Sequence, residues 1–110
     1  MISQQVEEFL LCLEEQRYYD AHEALEDVWF PLRFTESNEV KLIKGFINAS
    51  VSFELHKRGR FAQSKRVWRN YLKYRKLLFK TESKNLNLYY QLSRHLEHIN
   101  LNKNFIIKTV

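Results

Sequence analysis

His22 and Glu26 stand four residues apart, which on a helix puts both on one side, one turn from each other. Glu23 sits between them and Trp29 continues the same edge. An imidazole beside a carboxylate can move a proton. One histidine with two or three carboxylates from neighbouring helices also resembles the ligand set of metal sites in helical bundles. The remaining groups must come from another helix. Glu54 is the obvious one, because it falls inside an otherwise apolar helical sector, with His56 and Ser50 beside it. His22, Glu26 and Glu54 are thus candidates for acid–base chemistry, and with His56 for a divalent metal.

Plainer roles compete for the same residues. Asp20 as N-cap with Glu23 three positions on resembles a capping box, which accounts for Glu23 without chemistry. Trp29 reads as core, and Glu26 and Asp27 could pair with cations of the fourth helix. The metal pattern is incomplete: His-Glu-x-x-Glu occurs once, with no paired Glu-x-x-His, and it is not the His-Glu-x-x-His of zinc proteases. No activated nucleophile is apparent. Cys12 lies between Leu11 and Leu13 as a small core residue, and no serine stands on a glycine-flanked elbow. We take the signature helix as the seat of a buried His/Glu polar network, structural or as the wall of a small pocket. The enzyme reading comes second. The sequence leaves the cofactor unknown, with a divalent metal as the candidate.

Those residues need helices to hold them. Two glycines and one proline in 110 residues leave few turns, which argues for long helices and against a sandwich or barrel. Val6, Phe9, Leu10 and Leu13 give a helix over about 4–15 with Ser3 as N-cap. The second helix starts at Asp20 and buries Ala21, Leu25, Val28 and Trp29. Pro31 should stop or kink it, with Phe30 pushed out of the helical region. Residues 38–58 are apolar over half the wheel or more and read as the central helix, with Gly45 as a point of close approach and Gly59 as its C′ residue. A fourth helix covers about 60–80, with Phe61, Trp68, Tyr71, Leu72, Leu78 and Phe79 inward. A fifth is carried by Leu88, Tyr89, Leu92, Leu96 and Ile99, capped by Ser83 or Asn85. Residues 100–110 read as a loop or extended tail. No internal repeat is visible. The expected fold is one all-α domain of four to five helices around the helix at about 38–58.

Charge is divided unevenly. Residues 1–39 carry ten acidic side chains and only Arg17 and Arg33 as basic ones, whereas residues 57–80 carry ten basic side chains and no acidic one. Lys65, Arg69, Lys73, Lys76 and Lys80 form a stripe at helical spacing, flanked by Arg66 and Arg75. Such a stripe can follow phosphates. No recognised nucleic-acid motif accompanies it, so a solvated face partly neutralised by the acidic half is preferred. A lone cysteine excludes an internal disulfide, and no apolar run is long enough to span a bilayer. No signal peptide is apparent. The expected setting is the cytoplasm, as a monomer or small homo-oligomer with no membrane partner.

The run Tyr19-Asp20-Ala21-His22-Glu23-Ala24-Leu25-Glu26-Asp27-Val28-Trp29 resembles the Ala-His-Glu-x-Leu-Glu-x-x-Trp signature of the small bacterial proteins grouped as domain of unknown function family 309. Gly45-Phe46-Ile47-Asn48-Ala49 and Lys57-Arg58-Gly59 resemble later parts of that family, so the likeness covers roughly residues 5–80. It implies an all-helical bundle and marks His22, Glu23, Glu26 and Trp29 as signature positions. It implies no reaction. Two departures stand out. The family often has glycine before the aromatic pair, where this chain has Gln16 and Arg17. It often has histidine near the end of the central helix, where Glu54 and His56 bracket the place.

Overall fold

The structure is a computed structural model that describes residues 2–108, with side chains described through Lys103. The helices are α1 (Ile2–Glu14), α2 (Tyr18–Leu32), α3 (Asn38–Lys57), α4 (Phe61–Arg75) and α5 (Leu86–Lys108), with a 3₁₀ turn at Lys76–Phe79 after α4. The protein is a single all-α domain. The central helix lies where the apolar pattern placed it. α3 packs against α2, α4, α5 and the 3₁₀ turn, while α1 packs against α2. Its interior is built from Leu42, Ile43, Phe46, Ile47, Ala49 and Phe53, which meet Val6, Phe9 and Leu13 of α1, Leu25 of α2, Tyr71 of α4, and Tyr89, Leu92 and Leu96 of α5.

Two tight turns of the same kind join the helix pairs. Gln16 (φ 59°) and Gly59 (φ 80°) occupy the left-handed region after α1 and α3. After α3, Arg60 N bonds Leu55 O at 2.9 Å and Gly59 N bonds His56 O at 3.0 Å. After α1, Arg17 N bonds Cys12 O at 2.8 Å and Gln16 N bonds Leu13 O at 3.1 Å. Both are Schellman motifs, which satisfy the last carbonyls of one helix while turning the chain into the next. An arginine follows each left-handed residue, with φ/ψ of −93°/70° at Arg17 and −92°/66° at Arg60, and an aromatic residue opens the next helix. Lys57 Nζ ties the two turns together by donating to Gln16 O at 2.9 Å.

Several boundaries differ from the sequence expectation. α1 starts at Ile2, so Ser3 is inside its first turn. α2 starts at Tyr18 with Arg17 as its N-cap residue, so Asp20 and Glu23 do not form a capping box. Asp20 lies in the first turn, where the helix dipole favours an anion, and pairs with Arg17 Nη1 at 3.0 Å. Pro31 does not end α2, which continues to Leu32 with Phe30 helical. In the last turn proline forfeits only the bond to the Asp27 carbonyl, and Arg33 Nη1 caps Phe30 O at 2.6 Å. α4 ends at Arg75. Its straight run turns Ser64 and Tyr71 inward, while Phe61, Leu72 and Phe79 are 49%, 37% and 77% exposed. The tightening to 3₁₀ shifts the phase, burying Leu78 and exposing Phe79. The backbone of the Asn-rich stretch 100–104, read as loop-like, is helical within α5. The side chains of Phe105, Ile106 and Ile107 lie outside the described residues.

Candidate functional site

α2 turns Ala21, Ala24 and Leu25 into the core and leaves Tyr19, Glu23, Asp27 and Phe30 outward. His22 and Glu26 fall on the border. The helical step of four brings His22 Nε2 to 2.5 Å from Glu26 Oε2, with the side chains 22% and 38% exposed. His22 Nδ1 lies 3.3 Å from the Tyr19 carbonyl. Both ring nitrogens therefore face acceptors on their own helix. The Tyr19 ring tilts against the imidazole at 5.4 Å between centroids. A hydrogen bond to the Glu23 carboxylate, and then that group's charge, push the Tyr19 hydroxyl above its ordinary value.

Glu54 does not reach this pair as a third ligand. Its carboxylate is held by Arg58, one turn on along α3, at 2.6 Å. Yet Glu54 borders the same space as His22. A cavity of about 310 Å³ between α2 and α3 is lined by Tyr18, Tyr19, His22, Val51, Glu54, Leu55 and Arg58. Burial, and then the charge of Glu54, raise the Tyr18 hydroxyl. His56, two residues further on, faces the other side of α3. It is buried, and its ring packs on Phe61 at 4.7 Å between centroids. Ser50 Oγ donates to Ile47 O within its own helix at 2.7 Å. Among the described residues, no group of three or more His, Cys, Asp or Glu side chains comes together to hold a metal ion.

On the outer side of α2 lies a second, more open trough of about 550 Å³, bordered by Tyr19, His22, Glu23, Glu26, Asp27, Phe30 and Pro31. Tyr19 and His22 belong to both spaces. One side is therefore an acidic groove and the other an apolar cleft with a charged rim. Trp29 lies away from both, half-buried against the core, with Lys44 Nζ 4.2 Å from its ring centroid.

Of the basic stripe, Lys65, Arg69 and Lys73 lie on α4, Lys76 opens the 3₁₀ turn and Lys80 follows it. Lys65, Arg66, Arg69, Lys73, Lys76 and Lys80 are all exposed. Among the described residues no ion pair joins them to the acidic half. Glu26 pairs with His22, Asp20 and Glu15 with Arg17, and Glu36 with Lys41. Among the described residues the ion pair of α4 is Arg75–Glu97 at 2.8 Å, to α5.

That last pair belongs to a polar network not foreseen from the sequence. Tyr71, fully buried, places its hydroxyl 2.7 Å from Ser93 Oγ and donates to Glu97 Oε2 at 3.0 Å, and Ser93 Oγ lies 2.8 Å from the same oxygen. Burial raises the Tyr71 hydroxyl strongly. Burial opposes the charge of Glu97, but hydrogen bonds from Ser93, Arg75 and Tyr71 outweigh it and hold its carboxyl below the ordinary value. A second network joins Tyr89 to Glu39 at 2.5 Å and Ser83 to Glu39 at 2.8 Å. A third clamps α3 to α4: Ser52 Oγ donates to Ser64 O at 2.8 Å and Ser64 Oγ to Ser52 O at 2.7 Å. The available signal for the first was Ser93 and Glu97, polar at i, i+4 beside the Leu92–Leu96 stripe.

A small helical bundle with a His–carboxylate pair on its second helix, set between an acidic groove and an apolar cleft, is the class of protein these features define. The chain belongs to the family described as Domain of unknown function (DUF309), whose model matches residues 6–67. That range takes in most of α1, all of α2 and α3, and the start of α4. No curated protein and no solved structure matches the chain. No described helix is long and apolar enough to cross a membrane.

Proposed function

We propose that the protein is a binding module whose signature helix α2 forms the shared wall of a ligand site. The observation that carries this is that Tyr19 and His22 line both the acidic trough and the apolar α2–α3 cleft. The cleft volume is at the lower end for small-ligand pockets, large enough for one aromatic or branched group. Val51, Leu55 and the Tyr18 ring supply apolar contact. Glu23, Glu26 and Asp27 next door attract a cation. The fitting ligand is therefore a cation carried on an apolar body, such as an aromatic amine or the basic–apolar side chains of a peptide. His22, fixed by Glu26 and the Tyr19 carbonyl, acts as the rigid divider between the two halves.

Acid–base catalysis by His22 with Glu26 is supported by their contact. It is disfavoured by the second nitrogen's approach to Tyr19 O, which leaves neither nitrogen turned toward a substrate. Binding is therefore preferred. Phenethylamine and tryptamine, titrated into ¹⁵N- and methyl-labelled protein, test it. The expected result is saturable shifts at Tyr19, His22, Val51 and Leu55 at millimolar amine, with benzoate silent. Shifts that scatter over the surface, or that benzoate reproduces, would rule the site out.

A further inference from the structure

We infer that α4 and the following 3₁₀ turn form a docking surface for single-stranded nucleic acid. Four observations converge there. The stretch 57–80 has no acidic side chain. Six of its cations, Lys65, Arg66, Arg69, Lys73, Lys76 and Lys80, are exposed. Among the described residues no ion pair engages any of the six, because the carboxylates elsewhere pair with Arg17, His22, Lys41, Arg58 and Arg75. Exposed apolar side chains sit along the same strip: Phe61 (49%), Leu72 (37%) and Phe79 (77%).

The helical phase makes this one surface. At 100° per residue, Phe61, Lys65, Arg69, Leu72 and Lys73 fall within an arc of about 120° on α4, turned away from Ser64 and Tyr71 in the core, and Lys76 follows in the 3₁₀ turn. Lys65, Arg69 and Lys73 recur at one-turn steps of about 6 Å, close to the spacing of phosphates along an extended strand. From Phe61 to Lys76 the strip runs about 22 Å, enough for three or four nucleotides.

The aromatic rings choose the occupant. Phe61 rests one side on His56, and Phe79 meets Tyr90 edge-on at 6.5 Å, so each is supported from behind and presents the rest of its ring outward. Unpaired bases can stack on such rings, whereas the bases of a duplex are already stacked. A bilayer fits less well. The apolar face of α4 is spent on the core, and the outward strip is dominated by charge, not by a continuous apolar band.

Fluorescence anisotropy with labelled oligouridylate and oligothymidylate of about twenty nucleotides tests this. Binding should weaken steeply with salt, with a log–log slope of about −2 to −3 for three or four phosphates met. Arg69→Glu with Lys73→Glu should weaken it more than tenfold. Phe61→Ala and Phe79→Ala should each weaken it about fivefold or more, through loss of stacking, while leaving the salt slope unchanged. All four positions are exposed, and far-ultraviolet circular dichroism confirms that each variant is folded. Binding that ignores the charge reversals would overturn the surface. A duplex bound more tightly than the single strands, or phenylalanine variants without effect, would overturn the single-strand assignment. Stronger association with phosphatidylcholine vesicles containing a quarter phosphatidylserine would assign the strip to a membrane instead.

Discussion

Gly45→Ala is expected to destabilise the protein although alanine is the better helix former. A Cβ built at Gly45 lies 2.6 Å from Tyr74 Cβ. Ordinary carbon contacts are about 3.5–4.0 Å, so roughly 1 Å is missing. The obstructing atom is fixed to the α4 backbone, and no rotamer change moves it. The two helices must part, which loosens the Phe46–Tyr71 and Phe53–Trp68 ring contacts across the same interface. Overpacking of this kind costs about 1–3 kcal/mol, and here the rigid neighbour puts it toward the upper end. The gain in helix propensity returns about 1 kcal/mol. A net loss of about 2 kcal/mol follows, which lowers Tm by about 10 °C in a domain of this size. Urea unfolding followed by circular dichroism measures it. A double-mutant cycle sharpens the test: Tyr74→Ala retains the offending carbon and should not rescue Gly45→Ala, whereas Tyr74→Gly removes it and should show favourable coupling. A Gly45→Ala protein as stable as the parent would refute the close approach of α3 and α4.

Other expectations concern turns, acid stability and a buried clamp. Gln16→Gly should stabilise by about 0.5–1 kcal/mol, because Gln16 pays for a left-handed conformation that glycine adopts freely, while Gly59→Ala should cost about 1 kcal/mol for the same reason. Chemical denaturation of the two variants should give opposite signs. Glu97, with its folded carboxyl below the ordinary 4.5, contributes stability that is fully present above that value and is lost as pH falls through the lower folded one. Wild type should therefore lose stability more steeply than Glu97→Gln below about pH 5, and parallel acid limbs in the two melting profiles would contradict the network. Ser52→Ala and Ser64→Ala should each cost about 1 kcal/mol, since each removes one buried hydroxyl bond across α3–α4 while the carbonyl it served keeps its helical partner.

Much of this fold was legible because its helices bury broad apolar faces. The periodicity of α3, with Gly45 at the crossing and Gly59 at C′, is local information. What tertiary packing decides was not legible. The start of α2 is hidden in the sequence because its turn uses Gln16 where glycine would signal it, which leaves Asp20 as the apparent cap. Pro31 signals a stop or a kink, but near a helix end it forfeits a single bond. Phe61, Leu72 and Phe79 were read inward because an apolar side chain does not announce that its face is unpartnered. The site was half legible. The spacing of His22 and Glu26 dictated their contact. Glu54 stands out in the sequence as a carboxylate in an apolar sector, yet Arg58 at i+4 is the partner on offer in the same helix. Ser93 and Glu97 are a local i, i+4 pair, but their partner Tyr71 lies more than twenty positions away, and no local pattern names it.

The binding site at α2 is tested most directly by a filtered NOE spectrum of methyl-labelled protein with phenethylamine. A ligand held in the cleft gives cross-peaks from its ring protons to the Val51 and Leu55 methyls, and these vanish when Val51→Trp fills the space. Cross-peaks confined to other methyls, or cross-peaks to Leu55 that survive that substitution, would contradict a ligand site walled by the signature helix.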